Sequence, residues 1–307
     1  MPPLEVLKDL FFFERGYLSA NHLAWRSERP VLIDTGYLTR FEETLGLLRG
    51  LGLDPARLQL IVSTHCHCDH IGGNRRLQEL SGCEVALHPL GLRYQENRDD
   101  TATWWRYYGQ QAEFFDCARG LVHGDAVAVG PHEFRVIHTP GHASDGLALY
   151  HAGAKLLISS DALWEADMAV VTELVEGVDA LHLWLEALER LEGLDVRLVL
   201  PGHGRPFTCF HEALERARAR LRRYLADRRE VGRDQLRRIL VYTLLMRGPL
   251  GPGELMALLQ RTPWFPETIA HYFGGGQEER FRETVEALLA KGVLVREDGR
   301  LATTVKP

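Results

Sequence analysis

The chain of 307 residues has few cysteines, no long apolar run and no large excess of charge of either sign. Its five cysteines are a sparse, odd-numbered set, which favours reduced thiols over a disulfide framework. No apolar run approaches the roughly 20 residues that a membrane-spanning helix needs. The net charge of −6 gives no overall basic field for binding nucleic acid. The N-terminal stretch MPPLEVLKDLFFFERG has no basic leader followed by a small-residue cleavage site. Together these absences predict a cytoplasmic protein that makes no use of a membrane.

The first 210 residues alternate short β-type runs with amphipathic helical segments. These runs fall into two sets with helices between them, which predicts two sheets covered by helices rather than one parallel sheet. Residues 89–120 interrupt the order with an aromatic segment of helical pattern, and residues 210–230 have the pattern of one arginine-rich helix. We therefore expect a catalytic domain over residues 1–230 and a smaller domain over residues 231–307.

The last 77 residues show three helical patterns followed by two short strand patterns around Asp298-Gly299, a hairpin signal. This order predicts a winged-helix-like α domain. Its expected recognition helix, Glu278–Lys291, carries at least as many acidic as basic side chains, which suits a phosphate backbone poorly. We expect this domain to mediate dimerisation or to cover a substrate, and a DNA-binding module without catalytic activity remains the alternative.

The stretch STHCHCDHIGG, residues 63–73, places three histidines and one aspartate within six positions: His65, His67, Asp69 and His70. Burying such groups unpaired would cost a few kcal/mol each, whereas metal coordination would satisfy all of them. Alternate residues of an extended segment face the same way, so the two pairs could serve two neighbouring cations. Cys66 and Cys68 are expected to be small spacers that point away from the metals.

Three more ionisable residues follow apolar runs elsewhere in the chain. His142 ends HTPGH, Asp161 ends LLISSD, and His203 ends LVLPGH. Residues that allow a close approach of the backbone flank each of them. They are the candidates to complete a metal site.

Taken in order, these motifs resemble the metallo-β-lactamase-fold superfamily over roughly residues 15–210. The resemblance implies an α+β fold, an αββα sandwich with the metals at the open edge between the sheets. It also implies which residues hold each of two divalent cations: His65, His67 and His142 for the first, Asp69, His70 and His203 for the second, and Asp161 as the bridge. These ligands suit zinc, and iron or manganese would also be accepted. The chain departs from the family pattern at Ser160, where glycine is common, and at the two cysteine spacers.

The function implied by the resemblance is a dinuclear metal-dependent hydrolase. A metal-bound hydroxide, oriented by Asp69, would attack a small acyl substrate such as a thioester, ester or lactone. Two alternatives stay open: an RNA or nucleotide phosphodiesterase, and a mononuclear iron persulfide or thiol dioxygenase. RNA and a second copy of the chain remain open as partners beside the small molecule. The aromatic candidates for gripping a substrate are Trp104, Trp105, Tyr107, Tyr108 and Trp164.

Overall fold

The computed structural model describes residues 2–306. Its first sheet has seven strands that lie side by side in chain order: β1 (Leu4–Leu7), β2 (Leu10–Phe13), β3 (His22–Trp25), β4 (Val31–Ile33), β5 (Leu60–Val62), β6 (Glu84–Leu87) and β7 (Arg119–Gly120). The strands from β1 to β4 are antiparallel, and those from β4 to β7 are parallel. Such an arrangement leaves the carboxyl ends of β4, β5 and β6 at one edge.

The second sheet has five strands: β8 (Ala126–Val129), β9 (His132–His138), β10 (Leu147–His151), β11 (Leu156–Ser160) and β12 (Leu198–Pro201). Their spatial order is β12-β11-β10-β9-β8, and only β11 and β12 run parallel. Eleven α-helices occur in the described residues: α1 (Phe41–Gly50), α2 (Cys68–Ile71), α3 (Asn74–Ser81), α4 (Pro89–Glu96), α5 (Glu173–Glu176), α6 (Ala180–Glu192), α7 (Phe210–Ala226), α8 (Arg228–Arg247), α9 (Pro252–Gln260), α10 (Trp264–Phe273) and α11 (Gln277–Ala290).

Strand β2 shows how the layers form, because its apolar side chains are buried on both faces. Leu10 and Phe12 pack with side chains of the second sheet such as Phe134, between the sheets. Phe11 and Phe13 point the other way and pack with residues of α1 and α3. Helices α6 and α7 cover the far face of the second sheet. The αββα sandwich is thereby confirmed.

The aromatic insertion departs from its predicted helical form. Helix α4 ends at Glu96, and the aromatic residues that follow lie in turns. The Asp99 side chain accepts hydrogen bonds from the backbone N–H groups of Thr101 and Ala102, which competes with helix formation. Trp104 has a φ of +62°, in the left-handed region that interrupts a right-handed helix. The expectation of a helix through this stretch was therefore wrong beyond Glu96.

The arginine-rich segment is also not one helix. Asp227 adopts an extended conformation (φ −141°) between α7 and α8, and its side chain caps α8 by accepting a hydrogen bond from the Arg229 N–H. Helix α8 then continues to Arg247. Strands β13 (Leu294–Glu297) and β14 (Arg300–Thr303) pair as the predicted hairpin, with positive φ at Asp298 and Gly299. The division at residue 230 and the winged-helix comparison stay predictions.

Candidate metal centre

The seven predicted ligands come together at one edge of the sandwich. His65 and His67 follow β5, and Asp69 and His70 lie in α2. The other three follow strands of the second sheet: His142 after β9, Asp161 after β11 and His203 after β12. Each of the seven is at most 6% exposed. The topology thus collects residues that are far apart in the chain into one buried cluster.

Asp161 occupies the middle of this cluster. Its Oδ2 atom lies 3.3 Å from His142 Nε2, 3.5 Å from His70 Nε2 and 3.9 Å from His203 Nε2. Gly202 makes this position accessible, because a Cβ atom there would overlap Asp161 Oδ1. Two of the histidines belong to the group proposed for one cation, and His142 belongs to the other, so Asp161 lies between the two groups.

The two groups are also compact. His67 Nδ1 lies 2.9 Å from His142 Nε2, and His203 Nε2 lies 3.1 Å from Asp69 Oδ2. The ligand atoms within the sets His65–His67–His142, His65–His70–Asp161 and Asp69–His70–His203 all lie within 4.8 Å of one another. Ligands about 2.0–2.2 Å from a tetrahedral zinc are separated by about 3.3 Å, so these sets are within reach of a small cation.

Hydrogen bonds from the opposite side of the ring fix which nitrogen faces the cluster in three of the five histidines. His142 Nδ1 lies 2.8 Å from the Val170 carbonyl oxygen, so it donates a proton there and leaves Nε2 free to ligate. His70 Nδ1 lies 2.9 Å from Asp34 Oδ2, with the same consequence. His67 is reversed, because its Nε2 lies 3.2 Å from Glu176 Oε1 and its Nδ1 faces His142. Carboxylate and carbonyl partners of this kind orient the histidines of metal sites.

Two ring nitrogens in the cluster have no hydrogen-bond partner among the described residues, His65 Nε2 and His70 Nε2. A buried polar nitrogen without a partner is costly unless something else satisfies it. Burial, reinforced by the neighbouring imidazoles, lowers the pKa of both His65 and His67 and so favours the neutral form that binds metals. The unpartnered nitrogens, the neutral rings of His65 and His67 and the central Asp161 carboxylate together fit divalent cations.

Asp34 and Ser160 belong to a hydrogen-bond network that contacts the candidate ligand His70. The Asp34 carboxylate, which directly follows β4, accepts hydrogen bonds from His70 Nδ1 and from the Thr64 N–H and hydroxyl. The Thr64 hydroxyl also lies 2.7 Å from Ser160 Oγ. Ser160 has a φ of +47°, in the left-handed region that glycine adopts most readily.

The two spacer cysteines point away from the cluster. Cys66 Sγ is near the Gly91 carbonyl oxygen and Gln95 Nε2, and Cys68 Sγ contacts the Gln110 side chain. Both are fully buried, and neither belongs to a ligand group.

A cavity of about 370 Å³ opens beside the cluster and is lined by Asp69, His142, Asp161 and His203. Of the five predicted aromatic contacts, Trp104 and Trp164 line it. Trp104 stacks on the His67 ring at a centroid distance of 3.9 Å. Trp164 Nε1 donates a hydrogen bond to Asp161 Oδ1 at 3.2 Å. The structure thus places these two aromatic side chains next to the cluster of candidate ligands.

The other three predicted aromatic residues are not part of the cavity lining. Trp105 packs near Phe114, and Tyr107 donates a hydrogen bond to Glu267 on α10. Tyr108 is buried and accepts a hydrogen bond from Gln235 on α8. These residues join the aromatic segment to the C-terminal helices.

Residues absent from the sequence prediction complete the site. Glu176 reaches His67 from α5, and Tyr242 reaches Asp69 from α8, with its hydroxyl 3.0 Å from Asp69 Oδ2. The C-terminal helices also line the cavity, through Ile239, Val241, Leu245 and Leu288. No local motif surrounds Glu176 or Tyr242, and only the tertiary fold brings them to their partners.

The sandwich and its edge cluster of histidines and aspartates define a metal-dependent hydrolase. The sequence profile of the metallo-beta-lactamase superfamily matches residues 19–203, and the chain belongs to that superfamily. Human acyl-coenzyme A thioesterase MBLAC2 is 29% identical over 221 residues, which cover 64% of this chain and 76% of that protein. Hydroxyacylglutathione hydrolase of Rhodospirillum rubrum is 33% identical over 144 residues, 47% of each chain.

A solved structure resembles the fold along almost the whole chain. The metallo-beta-lactamase family protein from Thermus thermophilus has a TM-score of 0.62 and 24% identity, covering 97% of this chain and 99% of its own. At that identity the likeness concerns the fold alone. No helix in the part of the chain that the structure describes is long and apolar enough to cross a membrane.

Proposed function

We propose that the protein is a dinuclear metal-dependent thioesterase that hydrolyses a small, partly apolar acyl thioester. The observation that carries this proposal is the cavity that joins the ligand cluster to an apolar wall. In the ligand cluster, His65, His67 and His142 would hold one cation. Asp69, His70 and His203 would hold the other, and Asp161 would be shared between the two groups. The cavity is of a size that suits a small molecule.

The apolar wall suits the acyl group. Val170, Ile239, Val241, Leu245 and Leu288 line it, and burying an acyl chain against them contributes about 0.8 kcal/mol per CH₂ group. Trp104, which stacks on His67, and Trp164, which donates a hydrogen bond to Asp161, line the same cavity. An extended RNA strand would instead need a long basic groove.

Two positively charged side chains that line the cavity, Arg237 and Lys291, suit a substrate whose thiol half (the carrier of the acyl group) is anionic. Arg238 is neutralised by Asp167 and Asp234, at 2.8 Å and 2.7 Å. Arg237 and Lys291 form no ion pair with any described residue. A carboxylate or phosphate on the thiol half of the substrate would satisfy them. The names of the two relatives, an acyl-coenzyme A thioesterase and a hydroxyacylglutathione hydrolase, agree with such a thiol half.

Divalent cations at this site would lower the pKa of water to supply the nucleophile and would polarise the thioester carbonyl. The chain's own residues would do the rest. The imidazoles and Asp161 fix the positions of the cations, and Asp69 orients the attacking water. Trp104 and the apolar wall exclude bulk water from the carbonyl carbon. Addition of water breaks the C–S bond and releases a carboxylic acid and a thiol.

The test combines metal content with a substrate panel. Untagged protein is measured by elemental mass spectrometry and assayed with acyl thioesters of coenzyme A and glutathione, with lactones and with single-stranded RNA. About two zinc or manganese ions per chain, with thioester hydrolysis lost in Asp69→Ala, is the expected result. One iron per chain with oxygen consumption would establish the dioxygenase instead, and RNA cleavage without thioester turnover would establish the phosphodiesterase.

A further inference from the structure

The hydroxyl of Tyr242 connects the C-terminal helices to the ligand cluster. Tyr242 lies on α8, and its Oη atom is 3.0 Å from Asp69 Oδ2 and 3.2 Å from the Leu18 carbonyl oxygen. The side chain also lines the cavity beside His203 and Asp161. It therefore touches both the proposed second cation site and the space for the substrate.

The phenol has one proton for two acceptors. A hydrogen bond to an ionised carboxylate is shorter and roughly twice as strong as one to a neutral carbonyl. The Asp69 contact is the shorter of the two, so Tyr242 donates to Asp69, with the Leu18 oxygen close by. A phenol remains protonated at neutral pH because its ordinary pKa is about 10.

Cation binding makes this hydrogen bond more important. Among the described residues, two side chains hydrogen-bond the Asp69 carboxylate, His203 through Nε2 and Tyr242 through Oη. A His203 Nε2 atom that ligates a cation has no proton left to donate. In the loaded site, Tyr242 alone of the two would still donate to Asp69.

We infer that Tyr242 is a positioning residue of the metal centre, which holds the Asp69 carboxylate toward the cation shared with His70 and His203. The inference rests on the proposed two-cation site. It assigns part of that site to the C-terminal helices, outside residues 19–203 that match the superfamily profile. Removing a hydrogen-bond partner of a ligand typically lowers metal affinity or activity about 10-fold to 100-fold.

The test is a zinc titration of metal-free protein against a chromophoric chelator. Tyr242→Phe removes only the hydroxyl and keeps the ring. We expect two binding steps in the wild type. In Tyr242→Phe one step should weaken at least 10-fold, while the other changes less than 2-fold. The matched control is Tyr150→Phe on β10 of the second sheet, which removes a hydroxyl that donates to the Asp195 carbonyl oxygen.

Each result decides the matter. Two unchanged steps in Tyr242→Phe, as in the control, would overturn the positioning role while leaving the two-cation proposal intact. If Tyr242→Phe weakens both steps equally and lowers the unfolding midpoint of the metal-free protein, the hydroxyl has a general structural role. That result would also overturn the positioning role. Saturation at one zinc ion per chain in the wild type would refute the two-cation site and the inference together. Thioester turnover adds a separate readout, since a positioning role predicts a lower kcat with KM nearly unchanged.

Discussion

The Nε2 atom of His67 lies 3.2 Å from Glu176 Oε1, while the other oxygen of Glu176 accepts a hydrogen bond from the Ser144 N–H at 2.6 Å. One carboxylate therefore serves two donors on different elements. The His67 bond fixes a proton on Nε2 and leaves Nδ1 for a cation. The Ser144 bond holds the carboxylate in place, two residues beyond His142.

Substituting Glu176 by glutamine should weaken the first cation site. An amide offers one acceptor and one donor group, so it cannot accept from both His67 and Ser144. If the amide oxygen keeps the Ser144 bond, its NH₂ group faces His67 and favours the tautomer with the proton on Nδ1. We expect zinc affinity to fall about 10-fold to 100-fold, measured by chelator competition. Glu186→Gln, at an exposed position of α6, is the control, and equal affinities in the two variants would contradict the assignment.

Replacing Ser160 by glycine or by alanine should show whether the backbone at this position is strained. At a φ of +47°, a residue with a Cβ atom is disfavoured by roughly 1–2 kcal/mol, which glycine avoids. Both Ser160→Ala and Ser160→Gly lose the hydrogen bond to Thr64, but only alanine keeps the strain. Ser160→Gly should therefore be more stable than Ser160→Ala by about 1 kcal/mol, measured by urea unfolding of metal-free protein.

The matched control for Ser160 is Glu189, an exposed residue of α6. In a helix the order reverses, because glycine is less favourable than alanine by about 0.8–1 kcal/mol. Glu189→Ala should thus be more stable than Glu189→Gly. If alanine is also the more stable replacement at position 160, the backbone there is not strained.

The clustering of the seven candidate ligands could be predicted from the sequence because each lies in a short motif directly after an apolar strand. His65, His67, Asp69 and His70 are within six positions, and the strands that carry the others end at the same edge of the sandwich. Glu176 and Tyr242 could not be found in this way. They are 109 and 173 residues from their partners in the chain, and no local pattern marks either one.

The aromatic segment shows a different limit of sequence reasoning. Its composition suggested a helix, but the Asp99 side chain bonds the backbone and Trp104 turns into the left-handed region. The same turn stacks Trp104 on His67. Tertiary packing thus overrides the local helical preference, and it places one aromatic residue of the segment against the candidate ligands.

Arg237 should contribute to substrate affinity more than to turnover. If it holds an anionic carrier, Arg237→Gln should raise KM about 3-fold to 10-fold with kcat nearly unchanged, which corresponds to roughly 1 kcal/mol for a partly exposed charge. The effect should shrink at high salt. It is measured with coenzyme A and glutathione thioesters, and Arg57→Gln, which loses a surface ion pair with Glu28, is the control. A KM that changes equally in both variants would refute a carrier contact.

His88 should make the stability of the protein depend on pH. Its Nδ1 accepts a hydrogen bond from the Leu90 N–H at the start of α4, and its ring stacks on His138 at 4.2 Å. Burial, together with the nearby His138 and Arg93, lowers the pKa of His88 to about 4. The unfolded chain, with a histidine pKa of about 6.5, therefore binds the proton more readily.

The sign of this dependence follows from the lowered pKa. The contribution of His88 is fully present above pH 6.5, and it is lost as the pH falls toward 4, because protonation favours the unfolded chain. Asparagine can still cap α4 but does not titrate. When the pH falls from 7 to 4.5, the free energy of unfolding should therefore decrease by up to about 1 kcal/mol less in metal-free His88→Asn than in the metal-free wild type. His182→Asn, at an exposed position of α6, should follow the wild-type curve in urea unfolding, and a His88→Asn curve that does the same would show that His88 is not the titrating group.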